Sequence, residues 1–166
     1  PTEKDEGCVV VDIGGGTTDI AVFDNGNIIH SKVLPIGGNL FTSDISIALD
    51  LDFNTSENLK INYGNIGPDQ NNATDEIKIK PRKMDEEIQI TRRELGQILK
   101  ERAAELIRMI SISLDESHLV DANIGKFIFT GGGSKLNGFM NIAKYILQNN
   151  VRLAEPRGLS GITNTQ

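Results

Sequence analysis

The chain has 166 residues, of which 38% are hydrophobic and 24% charged, and 17 basic against 23 acidic side chains give a formal net charge of −6. That length supports one domain with its own core, or two small subdomains, and the acidic balance excludes nucleic acid as the main partner, because phosphate binding draws on a surplus of Lys and Arg. No apolar run approaches the roughly 20 residues of a membrane-spanning helix, and no signal-peptide pattern opens the sequence.

In chain order, Pro1 to Glu6 is polar and expected to fray. Cys8–Asp12 and Ile20–Phe23 read as strands, and Asp24-Asn25-Gly26-Asn27 as the tight turn to a third strand over Ile28–Leu34. The opening is therefore an antiparallel meander whose first turn is a glycine triplet. Pro35-Ile36-Gly37-Gly38 breaks the pattern, after which Leu40, Ile45, Ala48 and Leu49 share a helix face. Ser56 to Tyr63 reads as a short helix capped by Ser56 and stopped by Gly64. Residues 65–75 read as a loop. Glu76–Lys80 and Glu87–Ile90 read as an exposed hairpin around the turn at 81–85. Thr91-Arg92-Arg93-Glu94 is a capping box, opening a long amphipathic helix marked by Leu95, Ile98, Leu99, Ala103, Leu106, Ile107, Ile110 and Leu114. Lys126–Thr130 is a strand, Leu136–Leu147 a helix and Val151–Leu153 a short strand before a glycine-rich tail. Residues 7–50 and 120–160 are strand-rich and apolar, and the polar region 55–118 is inserted between them.

The single cysteine, Cys8, rules out an internal disulfide and suits a reducing cytoplasm; opening an apolar run, it reads as a small buried hydrophobe rather than a reactive thiol. His30 and His118 have no Cys or His at ligand spacing, which leaves them surface or strand positions rather than a zinc site.

Two stretches carry chemistry. The first, "VVVDIGGGTTDI" (9–20), removes every side chain from one turn. Successive backbone amides without Cβ atoms can converge on an anion. Thr17 and Thr18 add hydroxyls, and Asp12 and Asp19 bracket the loop, where a carboxylate beside phosphates holds Mg²⁺ directly or through water. There is no Gly-Lys-Ser/Thr, so this is not a P-loop. Asp19 stands where a Rossmann turn needs its third glycine, and "DIAVF" continues as a strand. A phosphate-binding hairpin remains, against the plainer reading of a bare glycine turn. The second stretch, "FIFTGGGSKLNGF" (127–139), runs from strand through glycines into a helix. It suits either an anion at a helix N-terminus or a tight strand–helix connection. Two such loops, each ending a buried strand, favour a shared ligand.

These motifs, with "LPIGGN" between them, resemble the actin-like ATPase superfamily of actins, DnaK-type chaperones and sugar kinases. Within it the chain is most similar to the FtsA family of bacterial cell-division proteins, through "GCVVVDIGGGTTDIAVFDNGNIIHSKVLPIGGNLFTSDIS", "ENLKINYG", "TRRELGQILKERAAELI" and "VRLAEPRGLSGI". The resemblance covers nearly the whole chain. It implies an α/β fold: an RNase-H-like core subdomain, residues 1–50 and 119–166, with an inserted α+β outer subdomain at 51–118, together the second lobe of the family. The family's first phosphate loop would precede Pro1, and its final helix and C-terminal amphipathic membrane anchor would follow Gln166. The loop at 65–75 and the turn at 81–85 are short for the family.

Carried over position by position, Asp12 would hold Mg²⁺ through water. Gly14, Gly15, Gly16 and Thr17 would wrap the β- and γ-phosphates of ATP, and Gly131, Gly132, Gly133 and Ser134 would face the adenosine. Glu57 and Lys60 would reach the ribose or adenine, although Lys60 also reads as a solvated helix lysine. Gly37 and Gly38 would serve as a hinge, or simply as a helix start. The implied function is that of an ATP-loaded protein that forms filaments with itself and ties the FtsZ ring to the cytoplasmic face of the inner membrane at the division site. It would bind the FtsZ C-terminal tail on the outer subdomain, where the long helix offers Arg92, Arg93, Lys100, Arg102 and Arg108. The family hydrolyses ATP weakly, and a single lobe is expected to be inactive. Sugar kinases, chaperone ATPases and the scaffolds MreB and PilM are the alternatives within the superfamily; the hairpin and long helix at 76–114 discriminate best.

Overall fold

The computed structural model describes residues 3–68, 74–116 and 124–154. His118, the middle of the 65–75 loop and the tail beyond Ala154 lie outside the described residues. The elements in order are β1 (Cys8–Ile13), β2 (Thr18–Asp24), β3 (Asn27–Leu34), α1 (Gly38–Leu49), α2 (Phe53–Tyr63), β4 (Glu76–Ile79), β5 (Ile88–Thr91), α3 (Arg92–Asp115), β6 (Phe127–Thr130), a 3-10 turn (Gly133–Lys135), α4 (Phe139–Leu147) and β7 (Val151–Leu153).

Five strands form one sheet in the order β3-β2-β1-β6-β7, and β4 and β5 form a separate hairpin. The meander is antiparallel through β1, β2 and β3, and its Asn25-Gly26 turn has positive φ at both residues, the geometry that matches strand twist. Next to β1, β6 runs parallel, with Asp12 opposite Thr130, and β7 is parallel to β6. A central strand covered on both faces should be apolar along its length. Val9, Val11 and Ile13 are accordingly buried on one face and Cys8 on the other. Burial and the nearby Glu3 carboxylate push the Cys8 thiol pKa up, as a small packed hydrophobe requires.

One hydrophobic cluster runs from the sheet (Val11, Ile13, Phe129) through α1 (Phe41, Ile45) to α3 (Leu99, Ile107) and the hairpin (Ile77, Ile90). A smaller one, Cys8, Phe23 and Ile128, lies on the other face of the sheet. The α3 stripe Leu95, Leu99, Ala103, Leu106, Ile107 and Ile110 is fully buried, and α3 packs on both α1 and α4. Its capping box forms as expected, Thr91 and Glu94 satisfying each other's amides. Among the described residues no helix is long and apolar enough to cross a membrane.

Four expectations are corrected. Helix α2 begins at Phe53, three residues before Ser56, because Asp52 is the cap and its carboxylate accepts the Thr55 amide at 2.9 Å. Ser56 is buried instead, its hydroxyl donating to the Asp52 carbonyl at 2.9 Å. Helix α4 begins at Phe139 rather than Leu136, because the 3-10 turn and the left-handed Gly138 (φ 86°) intervene. The hairpin is exposed on one face only: Ile77, Ile79 and Ile90 point inward while Glu76 and Lys78 point out. Finally, Glu3 to Glu6 does not fray. Glu3 pairs with Lys126 and Arg152, the Lys4 ammonium lies 4.5 Å from the Phe23 ring centroid, and the Lys4 carbonyl accepts the Gly26 amide.

Candidate functional site

Because Asp12 and Thr130 are opposite each other in parallel strands, the two glycine loops leave the same end of the sheet side by side. The ends of parallel strands are where open α/β sheets place ligands. The first loop is closed by the Gly14 amide donating to the Thr17 carbonyl at 2.9 Å. Its Gly14 and Gly15 carbonyls each accept an amide from the start of α1, Gly38 and Asn39, both at 2.8 Å. A trans peptide holds its C=O and N–H in opposite directions, and no peptide among the described residues is cis. The Gly15 and Gly16 amides therefore point away from α1, and neither has a partner among the described residues. Gly37 makes this contact possible: a Cβ there would lie 2.6 Å from the Gly14 and Gly15 carbonyl oxygens.

The second loop folds over the end of β1. Gly131 has φ of +83°, and a Cβ on it would overlap the Asp12 carboxylate and the Ile13 carbonyl. Gly133 sits against the Ile13 side chain in the same way. Ser134 is buried and donates to the Gly131 carbonyl at 2.7 Å, so its hydroxyl clamps the loop and does not line the cleft.

Helix α2 supplies the third wall of a cleft of about 440 Å³, within the roughly 300–1,000 Å³ of small-molecule pockets. Gly14, Gly15, Glu57, Lys60, Gly132 and Gly133 all line it. Lys60 is not a solvated helix lysine: its ammonium donates to the Gly38 carbonyl (3.0 Å), Thr42 Oγ1 (2.8 Å) and Glu57 Oε2 (2.7 Å). Thr42 also donates to Glu57 Oε2. Burial pushes the Glu57 pKa up, but the hydrogen bonds from Lys60 and Thr42 outweigh it and hold the carboxyl below its ordinary value of 4.5. Glu57 Oε1 makes no hydrogen bond among the described residues.

Not every carried-over residue reaches the cleft. Gly16 and Thr17 lie at the exposed tip of the first loop. The Thr17 hydroxyl donates to Asp19 at 3.2 Å and the buried Thr18 hydroxyl to the Ile36 carbonyl at 2.7 Å, so neither is the open donor that the sequence suggested. Asp12 is exposed, and its carboxylate makes no hydrogen bond or ion pair among the described residues. No group of three His, Cys, Asp or Glu side chains among them could hold a metal. A lone free carboxylate beside a glycine loop fits an ion held mainly by water and by a ligand's oxygens. Three polar lining residues escaped the sequence reading: Asn39, Lys135 and Asn137. The signal was available for two of them, since Asn39 directly follows "IGG" and Lys135 directly follows "GGGS".

The basic face of α3 is narrower than expected. Arg102 is engaged bidentately by Asp44 of α1, at 2.6 and 2.8 Å, and also by Glu105. Arg92 lies 5.1 Å from the Tyr63 ring centroid and 3.7 Å from Asp75. Arg93, Lys100 and Arg108 are exposed and form no ion pair among the described residues.

A family model described as cell division protein FtsA matches residues 9–166. The cell division protein FtsA of Bacillus subtilis (strain 168) is 34% identical over 154 residues, covering 93% of this chain and 35% of the relative. The FtsA of Pseudomonas aeruginosa is 35% identical over 162 residues, covering 98% of this chain and 39% of the relative. The chain thus spans little more than a third of the length of these relatives. Among solved structures, MreB 5 of Spiroplasma citri bound to AMPPNP superposes with a TM-score of 0.78 at 24% identity, over 92% of this chain and 49% of that one. The MamK double helical filament gives 0.69 at 19% identity, over 90% and 50%. At these identities the likeness is one of fold, and the fold is that of the actin-like ATPases, as the motifs led one to expect. With the model matching from Val9 to the last residue, the chain belongs to the cell division protein FtsA family.

Proposed function

We propose that this chain is the nucleotide-binding second lobe of an ATP-dependent cell-division protein, with 1–50 and 119–166 as its core subdomain and 51–118 as an inserted outer subdomain. The observation that carries the reading is the pair of glycine loops placed side by side by the Asp12–Thr130 register, with Glu57 facing them across one cleft. The outward amides of Gly15, which lines the cleft, and of Gly16, at the exposed tip beyond it, bind the β- and γ-phosphates. Gly132 and Gly133 give the adenosine a wall without side chains, and the free oxygen of Glu57 accepts from a ribose hydroxyl. Asp12 would hold Mg²⁺ through water, and the ion would supply positive charge that screens the phosphates. An MreB solved with AMPPNP and a MamK solved as a filament have the same fold, and both support ATP binding and self-association for the whole protein.

The partner reading follows from the family. The FtsZ C-terminal tail docks on the outer subdomain, its acidic residues meeting Arg93, Lys100 and Arg108, and this ties the FtsZ ring to the cytoplasmic face of the inner membrane. Calorimetry of the full-length protein tests the first part. Mg-ATP binding weakened about tenfold or more by Asp12→Ala is the expected result, the size of one lost charge-assisted interaction; equal affinities would refute it. Fluorescence anisotropy with a labelled tail peptide tests the second. Arg93→Glu and Lys100→Glu should each cost about 1 kcal/mol, with a salt dependence reduced to match; unchanged binding rules the α3 face out.

A further inference from the structure

We infer that Gly96, on the buried side of α3 and outside the cleft, is a positioning residue for the nucleoside end of the cleft. It acts through a joint of backbone against backbone at 65–67. Glycine inside a helix is less favourable than alanine, yet Gly96 stands one turn into α3 and is buried there. A Cβ at this position would lie 2.6 Å from the Asn65 carbonyl oxygen, well inside van der Waals contact. What the bare helix face admits is the main chain that follows α2, and any side chain at 96 would push that segment away.

On its other side the segment is held by the exit of the second glycine loop. The Ile66 amide donates to the Asn137 carbonyl at 2.9 Å, and Asn65 and Asn137 form a parallel bridge. Gly67 is buried against Gly138, where a Cβ would overlap the Gly67 backbone nitrogen at 2.0 Å. Asn65 Oδ1 accepts the Gly67 amide at 2.9 Å and closes the turn between them. Leu136 and Asn137 line the cleft, as do Gly132 and Gly133 before them. The second loop is thus fixed at both ends. Gly131 over β1 and the Ser134 clamp hold its start, and 65–67, wedged between α3 and Gly138, hold its exit. Backbone packed this closely cannot yield by turning a side chain, so a displacement at Gly96 is passed on to residues 136–138. The first glycine loop has separate ties, to the start of α1, and lies off this path.

The inference rests on the nucleotide reading only for the identity of the ligand, so the test has one arm without nucleotide. Amide hydrogen exchange is followed by NMR in the full-length protein. Wild type is compared with Gly96→Ala and with the milder Gly67→Ala, whose Cβ would lie 3.3 Å from the Gly138 Cα. Gly125→Ala is the control, its Cβ making an ordinary contact at 3.6 Å with the Gly7 carbonyl. The Ile66 amide should lose about fivefold of its protection in Gly96→Ala, the worth of one hydrogen bond, and somewhat less in Gly67→Ala. Strands β1 and β2, and the control throughout, should keep wild-type exchange. Wild-type exchange at Ile66, or an equal loss across the whole chain, overturns the inference; if Gly96→Ala does not fold, Gly67→Ala is held to the same criteria. In the second arm, ATP and adenosine are titrated by calorimetry. Both should weaken by the same factor, about tenfold, because the displaced wall faces the part they share. A loss for ATP that adenosine does not share would place the effect at the phosphates, and unchanged affinities would show that the joint positions nothing in the cleft; either result overturns the inference. If wild type binds neither compound while Ile66 loses protection in the variants, the nucleotide reading fails and the hold of Gly96 on 136–138 stands.

Discussion

Glu57 shows how a single ionisation enters the stability of the fold. Its folded pKa lies below the ordinary 4.5, so its carboxylate stabilises the protein at neutral pH, and that contribution drains away as the pH falls from about 4.5 through the lower folded value. Asp52 and Glu94 are shifted in the same direction, by hydrogen bonds from Thr55 and from Thr91. Glu57→Gln should therefore flatten the acid limb of a melting-temperature profile between pH 7 and 4 without abolishing it; an acid limb parallel to that of the wild type would show that the cluster does not control this carboxyl. Residues of this kind divide sharply in how legible they were. The glycines could be read because absence of a Cβ is itself the signal, and Gly37 and Gly131 occupy contacts that no other residue fits. The hydroxyls could not. Thr18 and Ser134 look in the sequence like donors to a ligand, yet each is turned to a backbone carbonyl by packing that no local pattern records. Thr42 gave no sign at all.

Among the elements, those whose signals lie within a few residues were read correctly: the Asn-Gly turn, the three meander strands, and α3 with its capping box and apolar stripe. Boundaries were misplaced where a nearer competitor won, Asp52 over Ser56 as the cap of α2 and Gly138 over Leu136 at the start of α4. The joints between elements were invisible. Arg102 and Asp44 are 58 residues apart in sequence, and only the packing of α3 on α1 makes them partners. The Asp44 hydrogen bonds come first in holding the guanidinium charged, and both side chains are 23% exposed. Arg102→Ala should destabilise the chain by about 1–3 kcal/mol, the range for hydrogen bonds between charged groups. In a chain of this size that lowers the melting temperature by roughly 2–4 °C per kcal/mol. Lys100→Ala, on the exposed side of the same helix, is the control and should change it little. Equal effects from the two would show that the Asp44 pair does not brace α1 against α3. Charge reversal at Arg102 is for the same reason a poor probe of partner binding, since it would loosen the helix pair before it reached any peptide.

At the scale of the whole molecule, the cleft has walls from two loops and one helix among the described residues, and it opens to solvent. Open to water, each loop amide gains little from a phosphate, because solvent competes for the same hydrogen bond. Loss of even one preorganised donor slows chemistry about a hundredfold or more. The purified 166-residue chain is therefore expected to bind Mg-ATP weakly and to release no measurable phosphate. Turnover that disappears in Asp12→Ala would show that the single lobe forms a complete site. The pairing of β1 with β6 has a consequence of another kind, during synthesis. Once the meander leaves the ribosome, the free edge of β1 carries the run Val9-Val10-Val11 with no strand beside it, and the partner, Phe127–Thr130, is still roughly a hundred residues from being made. At about 5–20 residues per second that edge waits on the order of 5–20 seconds. An apolar β-branched strand exposed for that long is a template for other nascent chains, so the yield of soluble protein should depend on translation speed and on holdase chaperones more steeply than its folded stability would suggest.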